Sequence, residues 1–293
     1  MRRIICAISN GMKVYYPAAQ KTSKSKIKLI VFLLVFAFLA LVFGGGYLVY
    51  ASDFFKIKNI EISGVKNYSK ENLTADLKDF FKSRSAISSF LGPDNILVWN
   101  AEVSAFLAKT PQLKNLNIEK DIFNRSVKVD AQEREKFGIW CLEINSMLNQ
   151  VAASSTFDKG FKEESCYWFD KEGILFVEAP AIEGELFNRM IDSTGRDLKL
   201  GDKVLDDRLL VNLVKVFEVF DTADLKSKTV FINDLKIEEV IVRPLGFPKA
   251  LFSLRFDPRF SVVAINALKK SGRWQKVEYV DFRVENKVYY KFK

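Results

Sequence analysis

The sequence has no histidine among its 293 residues, and that one absence excludes a good deal. Ser/His/Asp and Cys/His nucleophile systems need an imidazole to carry the proton, and most transition-metal sites use one as a ligand. Acidic residues are missing from residues 1–52, which hold seven basic ones (Arg2, Arg3, Lys13, Lys21, Lys24, Lys26, Lys28). The rest of the chain carries 38 basic and 36 acidic side chains, so most of the formal net charge of +9 belongs to this tail. A nearly neutral body lacks the basic face on which counterion-release binding to nucleic acid depends. Glycine-rich phosphate loops are missing too: Gly44-Gly45-Gly46 lies inside an apolar run, where glycines allow close helix packing or a bend. No Ser-x-x-Lys stands beside the partner motifs of penicillin-binding transpeptidases. Adjacent carboxylates such as Asp206-Asp207, Glu163-Glu164 and Glu238-Glu239 read as solvated faces or helix starts rather than as acid/base pairs. No catalytic residue, cofactor or metal site is expected, and the chain is read as a non-enzyme.

What the sequence does have begins with "LIVFLLVFAFLALVFGGGYLVY", residues 29–50, without a charge. At a 1.5 Å rise per residue about 20 residues cross a bilayer core. The stretch is read as a transmembrane helix. A cleaved signal peptide is the rival, with "VYA" before Ser52 as a small-residue site, but its apolar part should be about 7 to 15 residues long. The positive-inside rule then places residues 1–28 in the cytoplasm and the bulk outside, and a basic lead suits anionic lipid heads.

Cysteine is scarce: Cys6 lies on the expected cytoplasmic side, Cys141 and Cys166 outside. "FGIWC" and "CYWFD" read as two neighbouring strands joined by the polar residues 142–165. Cys141 and Cys166 either form a disulfide closing that hairpin or remain two buried thiols.

After residue 52, Phe55, Ile57, Ile60 and Ile62 predict a strand with a bulge at Lys58-Asn59, ended by Gly64. Ser69 is a helix N-cap, Glu71 suits the first turn, and Leu73, Leu77, Phe80 and Phe81 form one helical face. "SRSAISSFLGPDN" reads as a loop. A second helix is expected from Asn100, buried through Val103, Phe106 and Leu107, and stopped by Pro111. Strands follow around Leu116 and Ile118 and through Val127, Val129 and Ala131, completing a small α+β unit. Beyond Gly138 come strands and two helices. One carries Leu209, Leu210, Leu213 and Val214; the other ends at Gly272. The chain closes on "VEYVDFRVENKVYYKF", a hairpin with Val280, Phe282 and Val284 alternating on one strand and Val288, Tyr290 and Phe292 on the other. If both triplets face one core, 282 pairs with 290 and Glu285-Asn286-Lys287 forms the loop, with Asn286 or Lys287 left-handed.

These segments, in this order, resemble a bacterial cell-division family, FtsQ/DivIB. "FKIKNIEISGVKNYSKENL" resembles the opening of a POTRA domain, and "SVKVDAQEREKFGIW" the passage from that domain into the following β domain, with Glu133, Arg134 and Trp140. "FDKEGILF" is similar to the family's Asp-x-x-Gly turn (Asp170, Gly173), and "VEYVDFRVENKV" to its Val-Asp-aliphatic-Arg strand (Val280, Asp281, Phe282, Arg283). Asn124 replaces a usual proline, Lys136-Phe137-Gly138 a Pro-x-Ala, and Val284 a frequent aromatic.

The resemblance implies an α+β chain: a basic tail (1–28), one transmembrane helix (29–50), a POTRA domain of β-α-α-β-β order (54–132) and a mostly antiparallel β domain with two helices (133–293). It further implies a non-catalytic, single-pass scaffold of the division machinery at the septum. Its small bitopic coiled-coil partner (FtsB/DivIC-like) would add a strand to the terminal edge, and the POTRA domain and anchor would help recruit other division membrane proteins. Carried over by motif, the partner site is Arg283, Val284, Val288, Tyr290 and Phe292, with Phe292 as anchor. The competing reading is an ordinary edge strand blunted by Lys287, Lys291 and Lys293. A POTRA-containing envelope assembly or transport module holding client strands is the alternative function, and a hydrolase using carboxylates a third.

Overall fold

The computed structural model describes residues 6–9, 12–15, 24–143, 164–180, 185–225, 227–243 and 248–293. Most of the 142–165 insert, and residues 245–247 of the turn before Pro248, lie outside that range.

Two four-residue strands, β1 (Cys6–Ser9) and β2 (Met12–Tyr15), pair antiparallel within the basic tail. Helix α1 (Lys24–Ala51) contains the apolar run, and from Lys28 to Ala51 it is long and apolar enough to cross a membrane.

A three-stranded sheet follows. Strand β3 begins at Asn59 and ends at Ser63, later than the alternation of Phe55 and Ile57 predicts. Asp53–Phe55 is instead a 3-10 turn whose Ser52 cap accepts from the Phe54 N–H. Gly64 stops β3 at φ +82°, where a Cβ would stand 1.9 Å from the Ala131 carbonyl oxygen, so only glycine fits. Helix α2 (Lys70–Ser83) starts at the predicted Ser69 cap and buries Leu73, Leu77 and Phe81. The segment read as a loop contains a short helix, α3 (Ala86–Leu91), capped by Ser85. Helix α4 (Ser104–Lys109) begins four residues after Asn100, because Asn100 turns back to accept from Glu102 N–H and Arg84. Strands β4 (Leu113–Asp121) and β5 (Ser126–Glu133) pair antiparallel, and β3 joins β5 in parallel, giving the order β3-β5-β4. Val127, Val129 and Ala131 meet Leu73, Leu77, Phe81 and Phe106 in one core.

The second sheet has nine strands in the order β14-β13-β12-β11-β10-β9-β6-β7-β8. They are β6 (Gly138–Glu143), β7 (Glu164–Phe169), β8 (Leu175–Glu178), β9 (Asn188–Asp192), β10 (Thr229–Ile232), β11 (Glu239–Val242), β12 (Lys249–Ser253), β13 (Val277–Phe282) and β14 (Tyr289–Phe292). The sheet is mixed: β6 with β9, β9 with β10, and β12 with β13 are parallel. Two of these pairs flank a helix in sequence, α5 (Asp207–Thr222) between β9 and β10, and α6 (Ser261–Lys270) between β12 and β13. A parallel pair needs such a crossover, which lays its helix on the face of the sheet. Leu209, Leu213, Val216, Phe217 and Phe220 of α5 and Ile265 and Leu268 of α6 therefore share a core with Trp140, Val230, Val240, Phe252, Val280 and Phe282. On a separate cluster beside β6 and β7, Cys141 and Cys166 stand opposite each other in register and form a disulfide, with Cα atoms 4.0 Å apart.

Candidate partner-binding edge

Strand β14 is one edge of the nine-strand sheet, and its position comes from β13. The Val277, Val280 and Phe282 side chains are buried, and Phe282 stacks on Phe252 with ring centroids 5.0 Å apart. That packing fixes which face of β13 points inward.

The hairpin differs from the expected register. Val280 faces Tyr290 and Asp281 faces Tyr289, a slip of two residues from the expected 282 with 290. Parity survives. The cause lies in Asp281, whose carboxylate accepts from the Arg283 backbone N–H (3.0 Å) and from its guanidinium (2.9 and 2.6 Å). Arg283 is thereby folded back out of the ladder, and β13 stops at Phe282. A turn from Val284 to Lys287 follows, closed by Lys287 N–H to Val284 C=O at 3.1 Å, with Asn286 left-handed at φ +56°.

The second apolar triplet also departs from expectation. Val288 packs on the core, but Tyr290 and Phe292 are each 44% exposed, and every residue of β14 is exposed. Tyr290 lies opposite buried Val280 and so is on the core-facing side, yet it stays exposed. The two rings meet edge to face at 5.3 Å. Tyr289 and Val284 add further exposed apolar surface. Of the lysines read as edge guards, Lys291 is paired with Glu278 at 2.7 Å.

The five residues carried over by motif therefore have different situations. Val284, Tyr290 and Phe292 present side chains to solvent, Val288 points partly into the core, and Arg283 is engaged within the chain. Its guanidinium also reaches Glu239 on β11 at 2.9 Å, a partner that sequence reasoning did not find. Hydrogen bonds from Asp281 and Glu239 raise the Arg283 pKa above its ordinary value. Burial pushes the Asp281 carboxyl up, but the Arg283 bonds outweigh it and leave it below its ordinary 3.8.

The junction pair Glu133-Arg134 is likewise occupied. The Glu133 carboxylate gathers the backbone N–H groups of Lys66, Asn67 and Tyr68, each at 2.8 Å, and the Asn67 amide at 2.9 Å. Arg134 reaches Asp170 at 2.5 Å and Glu172 at 3.0 Å, while Lys114 approaches Glu172 at 2.6 Å. Asp170, in turn, holds its Asp-x-x-Gly turn by accepting from Glu172 and Ile174 N–H. The Glu-Arg and Asp-x-x-Gly motifs, 36 residues apart, thus touch each other and tie the small sheet to the large one.

Compared with protein-family models and with curated proteins, the chain gives no match to either.

Proposed function

We propose that this chain is a single-pass scaffold of the FtsQ/DivIB kind, with β3 to β5 and their helices as a POTRA domain and the nine-strand sheet as the partner-binding β domain. One observation carries the reading: β14 is a sheet edge whose four residues are all exposed, three of them aromatic. An incoming strand would gain main-chain hydrogen bonds from that edge, and Tyr290 and Phe292 would supply side-chain recognition on one face. The partner of this reading is a small bitopic coiled-coil division protein, and the working location is the extracytoplasmic side of the cytoplasmic membrane at the division site. Helix α1 and the Cys141–Cys166 disulfide suit that side of the membrane.

Pull-down with the full-length chain tests the proposal. One small coiled-coil membrane protein should bind stoichiometrically and be lost on Tyr290→Pro, which removes a ladder donor, and on Phe292→Glu, which leaves the backbone intact. Retention of every partner by both variants would refute strand addition at β14. Recovery of heterogeneous unfolded clients instead would favour an envelope assembly module.

A further inference from the structure

Resting on the reading of α1 as a membrane anchor, we infer that the small α+β unit is seated in the membrane interface through a second, apolar footprint made by Phe54, Ile87, Phe90 and Phe123. The chain does not leave the bilayer through a loose linker. Asn95 donates its side-chain N–H to the Val49 carbonyl in the last turn of α1 at 3.2 Å, and the Tyr50 ring meets Phe90 of α3 at 5.0 Å. On the other side, the β4–β5 hairpin tip grips the same exit: Arg125 donates to the Asp53 carbonyl at 2.7 Å, and Lys58 N–H donates to the Arg125 carbonyl at 2.8 Å. Ile57 and Ile96 complete the clasp through backbone bonds to Asp94 and Phe55.

This clasp fixes which end of the unit faces the lipid, and that end is where large apolar side chains stand out. Phe123 at the hairpin tip is 89% exposed, Ile87 72% and Phe90 65%. Phe54 is also exposed, three residues beyond the span-competent helix. Nothing in the packing of the small core requires these positions to be apolar, since its buried set is complete without them. Aromatic rings concentrate at the headgroup level of membranes, and an apolar face set beside a spanning helix enters that layer without further ordering cost. The occupant of this surface is the lipid interface itself, continuous with the one around Tyr47 and Tyr50.

Four single-tryptophan additions to the full chain, reconstituted in phosphatidylcholine/phosphatidylglycerol vesicles carrying bromine at both shallow and deep positions of the acyl chains, test the inference. Emission added by Phe90→Trp and Phe123→Trp should be mostly quenched, as should that of Phe38→Trp within α1. Emission added by Tyr289→Trp on the far edge strand should survive. If Phe38→Trp is quenched while Phe90→Trp and Phe123→Trp are not, the anchor stands and the footprint is overturned. If Phe38→Trp escapes quenching, the anchor reading falls and the footprint with it. Equal quenching of Tyr289→Trp would mean general adsorption of the exterior and would also overturn a specific seat.

Discussion

The two edges of the nine-strand sheet are treated in opposite ways. At β8, Leu175 and Phe176 are buried, and a returning segment covers the start of the edge: Leu175 N–H donates to Asp202 C=O at 3.0 Å and Gly201 N–H to Leu175 C=O at 2.7 Å. A bridge between Ile174 and Lys203 extends the cover. At β14 no segment among the described residues covers the outer side, and aromatic rings stand in solvent. Unpaired strand edges invite association, and folded chains normally blunt them. A chain that buries the side chains of one edge and caps its start with its own backbone, and leaves the other open and aromatic, has an edge suited to a partner. Each end also carries an arginine cluster, Arg134 with Asp170 and Glu172 near β8, and Arg283 with Asp281 and Glu239 near β14.

The sharpest way to break the comparison is to damage the inside of the open edge. Phe282→Ala removes a ring buried against Phe252 and Phe260 and should destabilise the exterior by about 4 kcal/mol in urea unfolding, with partner binding lost as a consequence. Next, at the closed end, the double variant Cys141→Ala/Cys166→Ala should cost roughly 3 kcal/mol, the chain-entropy value for a loop of this size. Binding at β14 should survive it under conditions where the chain stays folded. Loss of binding at full folding would show that the two edges are coupled and not separate.

Much of this was legible in the residues, because local rules agreed with the fold. Ser69 capped its helix, Leu73, Leu77 and Phe81 lined its buried face, and Val127, Val129 and Ala131 alternated into the core as their period of two requires. Strands β9 and β10 were missed. Each has only four or five residues, too short for a clear alternation, and β9, parallel to both of its neighbours, lacks the turn signals that frame a hairpin. Both helices of this region were legible, but without β9 and β10 the parallel pairing that makes an expected mostly antiparallel sheet a mixed one was not. At the candidate site, the Asp281–Arg283 pairing was legible from their spacing. Glu239 was not, since it reaches Arg283 only through the stacking of β11, β12 and β13. The exposure of Tyr290 and Phe292 was also hidden, because alternation reports a shared face and not how deeply each residue on it is covered.

A smaller effect separates the two arginine clusters. Arg283→Met leaves the Asp281 carboxylate, with only 17% of its side chain exposed, without its charged partner. The expected loss is about 1 to 2 kcal/mol at neutral pH, moderated by water around the half-exposed guanidinium. Because the folded Asp281 pKa is depressed, the stabilisation it contributes is present above the ordinary 3.8 and is lost as pH falls below that value. Wild type and variant should therefore converge in unfolding free energy at acid pH. A difference that persists unchanged well below this value would assign the loss to packing of the Arg283 stem.

The smallest expected change in stability is at the rings themselves. Phe292→Ala removes a side chain that is nearly half exposed and whose one ring neighbour is Tyr290, so it should cost less than about 1 kcal/mol. Leu175→Ala at the closed edge, where the side chain is fully buried, should cost about 2 to 5 kcal/mol in the same assay. The asymmetry matters more than either value. An edge built to support the fold loses stability when its side chains are cut, whereas an edge built to receive a strand keeps its stability and loses its partner. If Phe292→Ala unfolds as readily as Leu175→Ala, the aromatic edge is part of the chain's own support, and strand addition at β14 loses its main physical argument.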